Sequence, residues 1–281
     1  MAGSSGTVPS VGSRSVTTPP PVPLLRWEGA PELGAAVAVT TRHGGGSAAP
    51  YDTLNLGLHV GDDPETVVRN RERATTAFGV ALDRVVFARQ VHGASAALIG
   101  ADDRGRGTLS EADAVPATDI LVTVSPEVTL AILVADCVPL ALVDPDAGVL
   151  AAVHAGWRGT AAGAVGKAVR TMRNCGADVG RIHAFLGPAV HRDRYQVSDE
   201  VHQALSDAVR PAALLPAAAR ADGPGHWLVD LIAANRQQLL ECGIRKDHIV
   251  DSAATTSDDA FFSDRAQRPC GRFALLARLA G

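Results

Sequence analysis

Three side chains able to bind a soft metal stand at the ends of apolar runs: His92 in RQVHGA, Cys137 in VADCVPL and His154 in VHAGWRG. They lie 45 and 17 residues apart, so they meet only if the fold brings strand ends together. Cys137 and His154 have the better local case, because each follows an apolar run and a turn links those runs, as in adjacent strands. One thiolate and two imidazoles would leave a tetrahedral zinc with an open fourth position, the arrangement of a catalytic site. A metal held that way lowers the pKa of bound water to about 7. Against this, free cysteine commonly packs as a small hydrophobe and a lone strand-end histidine is commonly structural, so spacing alone favours packing. Context favours the site: Asp136 adjoins Cys137, and Gly93, Gly156 and Gly159 surround the histidines, as needed where backbone must approach a ligand closely.

Two further segments could bind an anion. Arg42-His43-Gly44-Gly45-Gly46-Ser47 follows a strand-like run; its glycines could turn N–H groups toward phosphate or carboxylate, with Arg42 adding a bidentate cation. A plain flexible loop is an equal alternative, and the segment is neither a Walker loop nor a dinucleotide fingerprint. Trp157-Arg158-Gly159 offers a second cation ahead of a helix start, or simply a packed Trp beside a solvated Arg.

The elements that must position these residues alternate between strand-like and helix-like patterns. Apolar runs bounded by turn residues predict strands at 35–40, 85–91, 121–124, 129–134, 140–143, 149–153, 182–186 and 249–253. Helices are predicted after Asp63, with Pro64 at the first position and Gly79 as a stop, after Gly159 up to Gly176, at 198–209 and at 229–242. The Asp-Pro-Asp-Ala-Gly turn at 144–148 makes its flanking strands antiparallel, which points to a mixed α/β sheet rather than a purely parallel one. Residues 1–23, rich in Ser, Gly, Thr and Pro without an acid, read as a disordered tail, and residues 24–281 as a single domain with no linker or repeat.

Composition restricts the function. A net charge of -4 without a basic run opposes nucleic-acid binding. The longest apolar region, 120–143, is broken by Pro126, Glu127, Asp136 and Pro139, so no membrane span is expected. Cys137, Cys175, Cys242 and Cys270 form no CxxC pair, which suits a reducing cytoplasm. The nine histidines include no His-x-His pair, so a multicopper oxidase is a poor fit, and copper chemistry at a His/Cys site would be adventitious.

The stretches TTRHGGGSAAPYDTLNLGLHVGDDPETVVRNRE, RQVHGA, EADAVPATD, VADCVPLALVD, VHAGWRGT, FLGPAV and FFSDR with a later GR occur in one order. In that order they resemble the peptidoglycan editing factor family, also labelled laccase-domain polyphenol oxidase or purine nucleoside phosphorylase. The resemblance covers residue 24 to the C-terminus. It implies a layered α/β/β/α fold with mixed sheets, similar to the catalytic domain of cytotoxic necrotizing factor. It implies that His92, Cys137 and His154 are zinc ligands. It also implies phosphorolysis of adenosine, inosine or methylthioadenosine to free base and pentose 1-phosphate, with adenosine deamination beside it. Removal of a misincorporated amino acid from a peptidoglycan precursor, with Cys137 activated by His154, is the alternative. Under the nucleoside expectation Arg42 and the Gly-rich loop hold phosphate, Asp136 moves protons next to Cys137, and Asn55, His59, Gln90 and Arg158 contact substrate. Thr255, where a Cys is usual, and Asp264-Arg265-Ala266, where Tyr-Arg-Arg is common, depart from the pattern and point to a different C-terminal part of the pocket.

Overall fold

The computed structural model describes residues 21–208 and 218–281. The tail expected at 1–23 lies outside the described residues as far as residue 20, as does Val209 at the end of the helix expected at 198–209.

Two mixed sheets pack face to face. The first has five strands, β1 (Leu24–Arg26), β2 (Ala35–Thr40), β14 (Phe273–Leu279), β6 (Thr129–Val134) and β3 (Val85–Phe87), in that spatial order. The second has six, in the order β13 (Ile249–Asp251), β9 (His183–Leu186), β7 (Val138–Asp144), β8 (Val149–Ala155), β5 (Ile120–Thr123) and β4 (Ala96–Ile99). Alternation along the strands feeds two different cores, because successive side chains point to opposite faces. Leu121, Ala141, Val143, Leu150 and Ala152 face the first sheet, where they meet Val37, Val39, Leu130, Ile132 and Leu275. Their neighbours Ile120, Val122, Leu140, Leu142, Ala151 and Val153 face outward onto α3 (Ala164–Asn174) and α5 (Leu231–Glu241). On the far side of the first sheet, Ala131, Leu133, Ala274 and Leu276 pack against Ala74 and Phe78 of α1 (Pro64–Phe78). The result is the expected helix–sheet–sheet–helix sandwich. A separate three-stranded sheet of β10 (Gln196–Ser198), β12 (His226–Val229) and β11 (Ala219–Ala221) lies with α4 (Asp199–Ala208).

Local signals explain the helix ends. Asp63 caps α1 by accepting from the Thr66 N–H at 2.9 Å, Pro64 occupies its first position, and Gly79 closes it at φ 94°. The helix expected after Gly159 is two helices: α2 (Trp157–Ala161) starts earlier, and Gly163, at φ 73°, separates it from α3. The strand expected at 85–91 stops at Phe87, which releases residues 88–95 as a loop from one sheet to the other. Strands β1, β4, β10, β11, β12 and β14 were not among those expected.

Candidate metal centre and active site

The loop, the hairpin and one buried carboxylate assemble a three-residue cluster. Cys137 immediately precedes β7 and His154 lies in β8; the antiparallel register pairs Val138 with Ala155 and Pro139 with His154, which sets the two ligand-bearing residues side by side. His92 arrives on the loop that leaves β3. The ligand atoms of His92, Cys137 and His154 all lie within 4.8 Å of one another, and the two imidazole centroids are 4.7 Å apart. Among the described residues this is the cluster able to hold a metal.

Asp119, the last residue of the EADAVPATD stretch, holds the cluster together. Its fully buried carboxylate accepts from the backbone N–H groups of His92 at 2.9 Å and Gly93 at 2.8 Å, and from Nδ1 of His154 at 2.8 Å. A carboxylate without a proton can only accept, so Nδ1 of His154 carries hydrogen and Nε2 is left as the nitrogen that can take a metal in exchange for its proton. The same bonds hold His92 at φ 60°, an unfavourable backbone for a residue with a Cβ. Gly156 completes the fit: a Cβ there would stand 2.7 Å from Cys137 Sγ and 3.4 Å from the His92 ring.

Electrostatics favour a thiolate. Burial alone would raise the Cys137 thiol, but the His154 and His92 imidazoles outweigh it and hold the thiol at about 6. Burial opposes charge on His154 as well, and is overcome by Cys137 and Asp119, which raise the imidazole to about 9. Bonds to His154 and to the loop N–H groups likewise hold Asp119 below the usual carboxylate range against its own burial. A thiolate and two imidazoles are the donor set that zinc takes, so the residues present fit such an ion.

The cluster forms one wall of a cavity of about 560 Å³. His59, Gln90, Asp136 and Arg158 lie in its lining. Gln90 spends both ends of its amide on Leu133, donating to its carbonyl and accepting from its N–H, each at 2.8 Å. His59 faces Glu111, 3.6 Å away, and burial together with Arg272 lowers its pKa. Asp136, at φ 84°, accepts from the Thr256 hydroxyl, from the Ser263 hydroxyl at 2.7 Å and from the Arg265 N–H at 2.6 Å.

Two expected contacts lie elsewhere. Arg42 is absent from the lining: its guanidinium bonds the Asp52 carbonyl at 2.9 Å and the Asp52 carboxylate at 3.1 Å, and stacks on Phe262. Gly45 serves backbone packing, since a Cβ there would fall 2.1 Å from the Thr53 carbonyl oxygen, and the N–H groups of Gly45 and Gly46 are taken by the Thr53 hydroxyl and the Asn70 side chain. Asn55 is fully buried and also outside the lining; it bonds Gly57, Asp62 and the Arg272 N–H, and so braces the residue that leads into β14. Residues given no role from the sequence line the cavity instead, Arg71, Tyr195, Arg268 and Arg272, together with Arg265 of the departing C-terminal segment. Of the two departures at the C-terminal end, Asp264 is in the lining and pairs with Arg268 and Arg272, whereas Thr255 is not.

The pattern of the family described as multi-copper polyphenol oxidoreductase laccase matches residues 36–280, and the chain belongs to that family. It is 41% identical over 249 residues to the purine nucleoside phosphorylase YlmD of Geobacillus stearothermophilus, covering 87% of this chain and 89% of that one. It is 44% identical over 237 residues to the purine nucleoside phosphorylase Rv2149c of Mycobacterium tuberculosis, covering 84% and 89%. The crystal structure of YlmD from Geobacillus stearothermophilus superposes with a TM-score of 0.85 at 40% identity over 88% of this chain and 93% of that one. The Bacillus licheniformis hypothetical protein YfiH does so at 0.84 and 33%, over 87% and 92%.

Proposed function

We propose that this chain is a zinc-dependent purine nucleoside phosphorylase, converting adenosine, inosine or methylthioadenosine and phosphate to free base and pentose 1-phosphate. The observation that carries the reading is a His-Cys-His cluster opening onto a cavity walled by guanidinium groups, in a chain whose relatives are named for that activity. His92, Cys137 and His154 would hold the zinc, with Asp119 orienting His154 and fixing the His92 loop. Zinc at this position would supply a Lewis-acid charge to an oxygen of the substrate. The protein's own part is to orient the nucleoside and phosphate and to stabilise charge as the glycosidic bond loosens. Gln90 and His59 form the wall against which the nucleoside is placed. Asp136, expected to move protons, has three donors on its carboxylate, and we assign it the positioning of the segment from Thr256 to Arg265. The four free thiols suit a cytoplasmic setting, and no described helix is long and apolar enough to cross a membrane.

The test is chromatography of the products of adenosine with zinc-loaded protein, with and without phosphate, beside Cys137→Ala as a contamination control. Adenine that requires phosphate and disappears in the variant supports the reading, and no adenine in either condition overturns it. Inosine in the same chromatogram would mark adenosine deamination as the purine activity of this pocket. A second reading has its own observation: a thiol held low beside His154 is the pairing of a cysteine nucleophile, as amide hydrolysis of a peptidoglycan precursor would use. Stable acylation of Cys137 by an electrophilic analogue of such a precursor would favour it.

A further inference from the structure

The guanidinium groups around the cavity are not equivalent. Arg268 is paired with Asp264 at 2.6 Å and Arg272 with the same carboxylate at 3.2 Å. Arg71 is buried, lies over the Phe87 ring and spends its N–H groups on the carbonyls of Leu56, Gly107 and Thr108. Arg158 and Arg265 differ: among the described residues neither has a carboxylate partner. Each is held by an aromatic face, Arg158 over Trp157 at 4.3 Å and Arg265 over Tyr195 at 5.2 Å. Stacking of this kind fixes the plane of a guanidinium while leaving its N–H edge free for a bidentate oxyanion.

Both cations line the same cavity as His92, Cys137 and His154. Arg158 follows His154 by four residues at the start of α2. Arg265 is drawn in by Asp136, the neighbour of Cys137, which accepts its backbone N–H at 2.6 Å. Tyr195, beneath Arg265, has its phenol pKa raised by burial first and then by Cys137 and Asp136, so its hydroxyl remains a donor.

We propose that Arg158 and Arg265 form the phosphate clamp of this site, with Tyr195 and Trp157 as its supports and Asp136 as the positioning residue that sets Arg265. The inference rests on the phosphorylase reading. In the reaction it serves, an oxygen of hydrogen phosphate forms a bond to the anomeric carbon as the bond from that carbon to the purine nitrogen breaks. The bonding pair goes to the purine nitrogen, which gains the proton that hydrogen phosphate gives up; no other reactant is needed. The clamp neutralises the incoming dianion and keeps its free oxygen directed at the sugar.

The experiment is steady-state phosphorolysis of inosine with phosphate titrated at saturating inosine, and then the reverse titration, in the zinc-loaded full chain. Wild type is compared with Arg158→Ala, Arg265→Ala, Arg265→Lys and Asp136→Asn, and zinc content is measured in each. Loss of one charge-assisted fork should raise the phosphate KM about tenfold or more in either alanine variant. The inosine KM and the zinc content should stay near wild type, Arg265→Lys should recover part of the loss, and Asp136→Asn should reproduce the Arg265→Ala pattern more weakly. Phosphate KM unchanged in both alanine variants, or a rise in the inosine KM alone, overturns the clamp while leaving the phosphorylase reading intact. Absence of phosphate-dependent hypoxanthine from wild type overturns the phosphorylase reading itself, and the clamp with it.

Discussion

The two ends of the β7–β8 hairpin use the same device to different effect. At one end Asp119 accepts backbone N–H groups from the loop at Val91, His92 and Gly93 and a ring N–H from His154. At the other end Asp144 accepts backbone N–H groups from Asp146, Ala147 and Asp178 and a forked pair from Arg181. Both carboxylates are fully buried, and in both burial is outweighed by these bonds, so both lie below the usual carboxylate range. What differs is the cation. Arg181 has only donors to give, and its ion pair closes a turn. His154 gives one nitrogen to Asp119 and keeps the other, so the same carboxylate that stabilises the fold also aims a ligand at Cys137. A buried carboxylate becomes part of a site when its partner is an imidazole, which can exchange the proton on its other nitrogen for a metal.

Breaking the active end should have the largest effect. Gly156→Ala puts a carbon 2.7 Å from Cys137 Sγ, inside contact distance, so we expect loss of stoichiometric zinc with the far-ultraviolet circular dichroism of wild type; retained zinc would show that the cluster can rearrange. Asp119→Asn keeps the shape but removes the charge behind His154. Metal affinity should fall about 10- to 100-fold in competition with a chromophoric chelator. The equivalent change at the other end, Asp144→Asn, should leave zinc affinity untouched and lower unfolding free energy by about 2 kcal/mol in urea titrations. Because Asp144 is held below its ordinary value in the folded chain, the unfolded chain takes up the proton first as pH falls. The stability difference between wild type and Asp144→Asn should therefore be full above about pH 4 and shrink below it; a difference constant from pH 7 to pH 3 would contradict the assignment. The smallest effect is expected at Arg42→Ala, where the phosphate KM should change by less than about twofold, because that guanidinium is occupied by Asp52.

The hairpin and the pairing of Cys137 with His154 were legible in the sequence, and the two carboxylates that distinguish its ends were hidden for physical reasons. The Asp-Pro-Asp-Ala-Gly turn fixed the hairpin, and the hairpin register sets Cys137 beside His154. His92 could not be joined to them by spacing, because it arrives from the other sheet on a loop read as the end of a strand. Phe273–Leu279 escaped notice as a strand although it is central to the five-stranded sheet. Buried on both faces, it has a nearly continuous apolar run with no alternation to reveal it. Arg42 was chosen by residue type beside a Gly-rich loop and Asn55 by its place in the family pattern, and neither can show that Asp52 and the Arg272 backbone already occupy them. Asp119 carried a faint signal, an acid directly before the wholly buried run Ile120–Thr123, a position that costs energy unless the carboxylate is paired.

The claim that one end of this hairpin is a metal centre and the other a structural clasp is tested most directly by elemental analysis. Wild type, Cys137→Ser and Asp144→Asn would be loaded with zinc, desalted and measured together. The account predicts one zinc per chain in wild type and in Asp144→Asn, and none in Cys137→Ser. Equal zinc in wild type and Cys137→Ser would contradict it.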